Sequence, residues 1–215
     1  MNETEKLSSE LHDIKQIMER SSRFISLSGL SGIAAGICAL IGAWFASDII
    51  ERNKSAKHNL KRSLAYADSI TYNDVISSRL FQIALITFIA ALLSAFIFTY
   101  RRSKKANVPI WGTTARRLII NVTVPMIAGG IFLLVLIQNG VFEFIAPGCL
   151  IFYGLGVLNA SKYTLPETRY LGYGEILLGL INLFFTGEEL YFWAAGFGVL
   201  HILYGIFMWL KYERN

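Results

Sequence analysis

The sequence predicts an all-α fold: a polytopic membrane helix bundle with six transmembrane helices and an amphipathic amino-terminal helix. Three observations lead there. Hydrophobic residues make up 54% of the 215 residues and mean hydropathy is +0.48, whereas the apolar share of a soluble domain lies near about 45 to 50%. Six windows, about 24–48, 80–100, 118–138, 141–160, 170–186 and 190–210, approach the roughly 20 apolar residues that cross a hydrocarbon layer as helix. Trp44 and Trp193 fall near the outer ends of their windows and Trp111 and Trp209 near the inner surface, as an aromatic belt requires.

Residues 1–23 form a cytoplasmic segment, too long and too mixed in charge for a cleavable signal, so the run that follows stays as the first helix. Within the segment Leu7, Leu11, Ile14 and Met18 recur at spacings of four, three and four, an apolar stripe for a helix. It predicts a helix that folds back on the bundle or membrane surface, or a contact with a protein partner or a second copy.

Residues 24–210 make the six-helix domain. In the first span Ser28, Gly32, Gly36, Ala39 and Ala43 give one face that is small along its length, which lets helices approach closely in lipid. Helix six repeats the device with Ala194, Gly198 and Gly205, and His201 is placed on the same side by its spacing. Residues 49–79 are read as an external loop containing a helix near the outer interface, and 211–215 as a cytoplasmic tail.

The positive-inside rule sets the orientation. With the amino terminus inside, fourteen of the 20 Lys and Arg residues lie on the cytoplasmic side, and the outer side holds Arg52, Lys54, Lys57, Lys61, Arg62 and Arg79. Both termini are therefore expected in the cytoplasm. The inner loop carries Arg101, Arg102, Lys104, Lys105, Arg116 and Arg117, expected against anionic lipid headgroups. Net charge +5 is explained by this asymmetry. No nucleic-acid recognition fold fits the loop.

Two short connections, at Asn139-Gly140 and Gly187-Glu188-Glu189, make helices three and four, and five and six, antiparallel hairpins. "IFYG" at 151–154 and "ILYG" at 202–205 occupy matching places in the two hairpins. Pro125 with Gly129-Gly130, and Pro147-Gly148, are expected to bend or break helices three and four.

The polar residues inside these spans define a candidate intramembrane site. On helix five Gly172, Glu175, Gly179, Asn182 and Thr186 share a narrow stripe. Counting about 1.5 Å per residue from Arg169 and Lys211, taken as level, puts Tyr204 beside Glu175 and His201 one turn deeper. Tyr153 and Asn159 on helix four complete the set. A hydrogen-bonding packing role is the plainer reading of Glu175 and His201, and proton or substrate handling the sharper one.

Enzyme motifs are weak here. "GLSG" at 29–32 looks like the GxSG of rhomboid intramembrane proteases, with Ser31 and His201 as a dyad, but the serine sits on the wrong helix for that family and the second-helix His and Asn are missing. There is no HExxH, paired-aspartate or phosphate-loop pattern. No catalytic residue, cofactor or metal site is predicted. Cys38 and Cys149, without CxxC or Cys/His spacing, are expected as unpaired thiols.

The stretch "IFYGLGVLNASKYTLPETRYLGYGEILLGL" followed by "GFGVLHILYGIFMWLKYE" resembles an uncharacterised group of small bacterial six-helix integral membrane proteins. The likeness covers roughly Arg116 to Glu213. It implies the architecture and a bacterial inner, that is cytoplasmic, membrane, and brings no site residues. The expected role is a non-enzymatic interaction or assembly protein, with a small transporter or proton-coupled carrier around Glu175 as the alternative.

Overall fold

The computed structural model describes residues 28–60, 79–105 and 111–214, and only the backbone of 53–60. The stripe of Leu7, Leu11, Ile14 and Met18 lies outside the described residues. Six helices account for nearly all of what is described: α1 (Gly29–Leu60), α2 (Arg79–Lys105), α3 (Thr113–Gln138), α4 (Ile145–Ala160), α5 (Thr168–Asn182) and α6 (Glu189–Tyr212). A short 3₁₀ turn, Ser161–Tyr163, follows α4.

Four of these, over Gly29–Arg52, Arg79–Lys105, Thr113–Gln138 and Glu189–Tyr212, are long and apolar enough to cross a membrane. With 16 and 15 residues, α4 and α5 reach only about 24 and 22 Å, against a hydrocarbon thickness of roughly 30 Å. The helix expected over 170–186 ends at Asn182 and that over 141–160 begins at Ile145.

Helix α1 runs twelve residues past the expected end of its span, from 48 to Leu60. Nothing in that stretch breaks a helix, since it holds no Gly or Pro, and Asp48 pairs with Arg52 one turn on at 2.9 Å. Residues 49–60 of the expected external loop are thus a continuation of α1.

The helices form a row in the order α2, α1, α6, then α5 and α4 together, then α3; sequential neighbours are antiparallel, α6 runs antiparallel to α1, and α4 and α6 run parallel. Helix α6 is the centre: α1 packs on one side of it and α4 and α5 on the other. Close approach is made by glycines. A Cβ on Gly205 would lie 2.6 Å from the Gly29 carbonyl and one on Gly36 would lie 2.6 Å from the Gly198 carbonyl, so the small face of α1 comes within van der Waals reach of the backbone of α6. Gly172 and Gly179 bring α5 against Gly154 and Pro147 of α4 in the same way.

The two edge helices are different. Helix α2 packs chiefly on α1 and α3 chiefly on α4, and both turn rows of Ile, Leu, Val and Phe outward, among them Ile86, Leu93, Phe96, Ile120, Val124 and Ile131. Such a surface suits lipid, because soluble monomers rarely leave so continuous an apolar face to water.

The expected interruptions do not fall at the prolines. Pro147 is the third residue of α4, in the first turn, where backbone amides have no intrahelical acceptor to lose. Pro125 lies inside α3, which is assigned as one helix from Thr113 to Gln138. The irregularity is instead in α6, whose residues Ala194–Leu200 form a π-helix. The tight turns use Gly140 (φ 72°) and Gly187 (φ 96°), both in the left-handed region where glycine carries no Cβ penalty.

Candidate functional site

The most buried polar group sits where α4, α5 and α6 meet. Glu175 is 0% exposed, Asn182 1% and His201 6%. Of the stripe that spacing put on one face of α5, Gly172, Glu175, Gly179 and Asn182 pack inward, joined by Thr168, whereas Thr186 lies past the helix end and is exposed.

His201 organises the cluster. Its Nδ1 lies 3.0 Å from the Gly196 carbonyl and 3.2 Å from Glu175 Oε1, and its Nε2 lies 2.7 Å from the Tyr153 hydroxyl. Nδ1 is aligned for a hydrogen bond to the carbonyl but not to the carboxylate, so both Glu175 oxygens stay without a hydrogen-bond donor among the described residues. The Asn182 amide, two turns further along α5, also has no partner there. Phe197, Tyr153 and Trp193 wall the ring in, with the Phe197 ring stacked on the imidazole and Tyr153 tilted at 5.3 Å between centroids.

The register of α5 on α6 differs from the count taken along the sequence. His201 is level with Glu175, and Tyr204 instead meets Thr168, its hydroxyl 2.9 Å from Thr168 Oγ1, which in turn is 2.8 Å from Thr164 Oγ1. The reason is length. Helix α5 begins well inside the end of the 24-residue α6, so Arg169 and Lys211 are not level and Glu175 rests against the middle of α6. The spacing of His201 with Gly198 and Gly205 is also only partly informative: its carbonyl lies near Gly32 on α1, while its ring turns to α4 and α5.

Other candidates separate from this cluster. Asn159 is half-buried six residues beyond Tyr153, roughly 9 Å along α4. Ser31 donates to the Ser28 carbonyl at 2.5 Å while His201 is engaged by Tyr153, so the two do not form a serine–histidine dyad. Cys38 and Cys149 are free thiols. Among the described residues no group of three His, Cys, Asp or Glu stands close enough to hold a metal ion.

A second polar group joins three helix ends. The Glu213 carboxylate, just past α6, accepts from the Gly29 amide and from Ser28 Oγ at 3.1 Å, and pairs with Arg102 of α2 at 2.9 Å. A carboxylate at the first amides of α1 satisfies orphan donors and complements the helix dipole. Arg102 thus spends its guanidinium on a protein carboxylate, whereas Arg101, Lys104, Lys105, Arg116 and Arg117 are exposed. Nearby, Glu167 accepts from Lys211 Nζ at 2.5 Å and Tyr212 OH at 3.0 Å. Burial would raise the Glu167 carboxyl, but the Lys211 hydrogen bond, helped by others, outweighs it and holds the group below the ordinary carboxylate value.

Sequence reasoning missed Gly196, Thr164, Thr168 and the Glu213 link. Thr164 and Thr168 carry a readable signal, two hydroxyls four residues apart at the start of a helix; Gly196 carries none, because its position opposite Glu175 depends on the π turn.

Comparison with protein-family models, curated proteins and solved structures finds no match.

Proposed function

We propose that the chain is a six-helix integral protein of a bacterial cytoplasmic membrane with both termini on the cytoplasmic side, and that it acts without catalysis, by contact with another protein or a second copy. On this reading the short α4 and α5 are embedded with the other four helices. The observation that carries it is the enclosure of the polar cluster: Glu175, Asn182 and His201 are held among helices locked by glycine contacts, which suits a fixed scaffold more than a path for a solute. The exposed basic residues at the end of α2 and the start of α3 face lipid headgroups in this orientation.

The test is copurification in mild detergent from native membranes, with the full chain compared with one lacking residues 2–20 and with Leu11→Asp/Ile14→Asp. A stoichiometric partner captured by the full chain and lost from both variants supports the contact role. Absence of any partner, including a second copy, sinks it.

The second reading, a proton-coupled carrier, is favoured by one feature: a carboxylate with no exposure and no hydrogen-bond donor. Its test is Glu175→Gln, which abolishes a proton-driven uptake and leaves partner capture intact.

A further inference from the structure

Glu175 lies against the middle of α6 with both oxygens lacking a donor, and among the described residues its one ion-pair partner is the imidazole of His201 at 3.2 Å. Of the other described ion pairs, Asp48–Arg52 lies within α1, and Glu213–Arg102 and Glu167–Lys211 stand at helix ends. We propose that Glu175 and His201 together form a binding site for one proton, carried by one or the other so that the pair inside the bundle has no net charge. The proposal does not depend on the contact role.

Charge balance gives the number of protons. An ionised carboxylate beside a neutral imidazole leaves a bare negative charge in an enclosed, low-dielectric place, and a carboxylic acid beside an imidazolium leaves a bare positive one. With one proton the pair is either acid and neutral ring or carboxylate and imidazolium, and neither leaves net charge. The two forms carry the same number of protons, and nothing else in the pair is gained or lost.

The ring is supplied for both forms. Nδ1 faces the Gly196 carbonyl and Oε1, and Nε2 faces the Tyr153 hydroxyl at 2.7 Å. With Nδ1–H donated to the Gly196 carbonyl in both forms, the Tyr153 hydroxyl donates to Nε2 when that nitrogen is bare and accepts from it when it is protonated.

The backbone is shaped around the pair as well. Gly196 is within the π-helix Ala194–Leu200, and π turns concentrate at functional sites. A Cβ there would lie 2.6 Å from Glu175 Oε2, so the carboxylate rests on the glycine itself. The wider turn brings the Gly196 carbonyl, five residues back, onto the ring of His201.

Other titratable groups on the packed helices are few. Helix α4 brings Tyr153 and has Cys149 as its other ionisable side chain. Along the middle of α6 the groups are His201 and Tyr204, the latter held by Thr168. Helix α5 adds Arg169, Tyr170 and Tyr173, all exposed. Arg169, the cation among them, stands six residues from Glu175, roughly 9 Å along the helix.

The test is solid-state NMR of the full chain in lipid vesicles at neutral pH. Glutamate carries ¹³C at the carboxyl and histidine carries ¹⁵N. Of the three histidines, His12 and His58 are changed to Gln so that His201 is the sole label, and the chain is purified through a tag free of histidine. Dipolar transfer from ¹⁵N selects the one carboxyl beside that ring. A carboxylic-acid shift with a neutral imidazole, or a carboxylate shift with an imidazolium, supports the site. A carboxylate with a neutral ring, an acid with an imidazolium, or no transfer at all overturns it. Gly196→Ala is expected to abolish the transfer in a chain that remains monodisperse, and transfer retained at full intensity there overturns the role of the π turn.

Discussion

Toward α1, helix α6 presents Gly198, Gly205 and its own backbone; toward α4 and α5 it presents His201, Tyr204 and the widened turn at Gly196. The first side is made of close contacts involving main chain, whose strength comes from closeness. The second is made of a few polar atoms whose strength depends on who carries the hydrogen. One helix therefore carries a seam that tolerates no added volume beside one that tolerates no lost partner. In lipid, where burying apolar surface drives nothing between helices, a bundle has these two means of holding together, and here they are separated onto opposite sides of the same element.

The comparison breaks hardest at Gly205. Gly205→Leu drives a side chain into the Gly29 carbonyl and the Ile33 amide, and is expected to cost at least about 3 kcal/mol. Thermal unfolding in detergent measures it. Gly130→Leu, at a glycine with nothing within 4 Å of its Cβ position, is expected to leave the transition unmoved.

On the polar side the sign reverses at one position. Asn182 is buried with neither amide atom partnered, so Asn182→Leu is expected to stabilise by about 1 kcal/mol, the cost of an unsatisfied group being removed with it. A lower unfolding temperature would mean that Asn182 has a partner in the membrane. Tyr204→Phe is expected to destabilise by about 1 kcal/mol through loss of the bond to Thr168, read from the same transition.

The smallest effect is electrostatic. The Glu167 carboxyl is held below its ordinary value in the fold, so its contribution is fully present above the unfolded carboxylate pKa and is lost as pH falls through the folded one. Stability measured against pH should decline on that acid limb, and Lys211→Met should flatten the part due to Glu167. An unchanged pH profile in Lys211→Met would show that the pair contributes nothing in solution.

How much of this was legible follows from which residues carry it. The helices were readable from their apolar length, although the ends of α4 and α5 were not, since a Phe or Val past a helix end looks the same as one inside it. The small face of α1 and the inward stripe of α5 could be read because regular helix fixes which residues share a side. The partner of Glu175 could not. It depends on how far α5 is recessed along α6, a property of two helices together, and on a π turn that composition does not announce. The prolines misled for a related reason: Pro147 marks where a helix starts, and only its position in the first turn distinguishes a start from a break.

The link from Glu213 to the first amide of α1 spans 184 residues, and its consequence concerns order of synthesis. Helix α1 is made first and α6 last, yet α6 is the piece that touches both α1 and the α4–α5 pair. Without α6 the described helices fall into two groups, α1 with α2 and α3 with α4 and α5, and the first amide of α1 loses its carboxylate. Of the six described helices, the latest in the chain is thus the one that joins the earlier ones into one bundle.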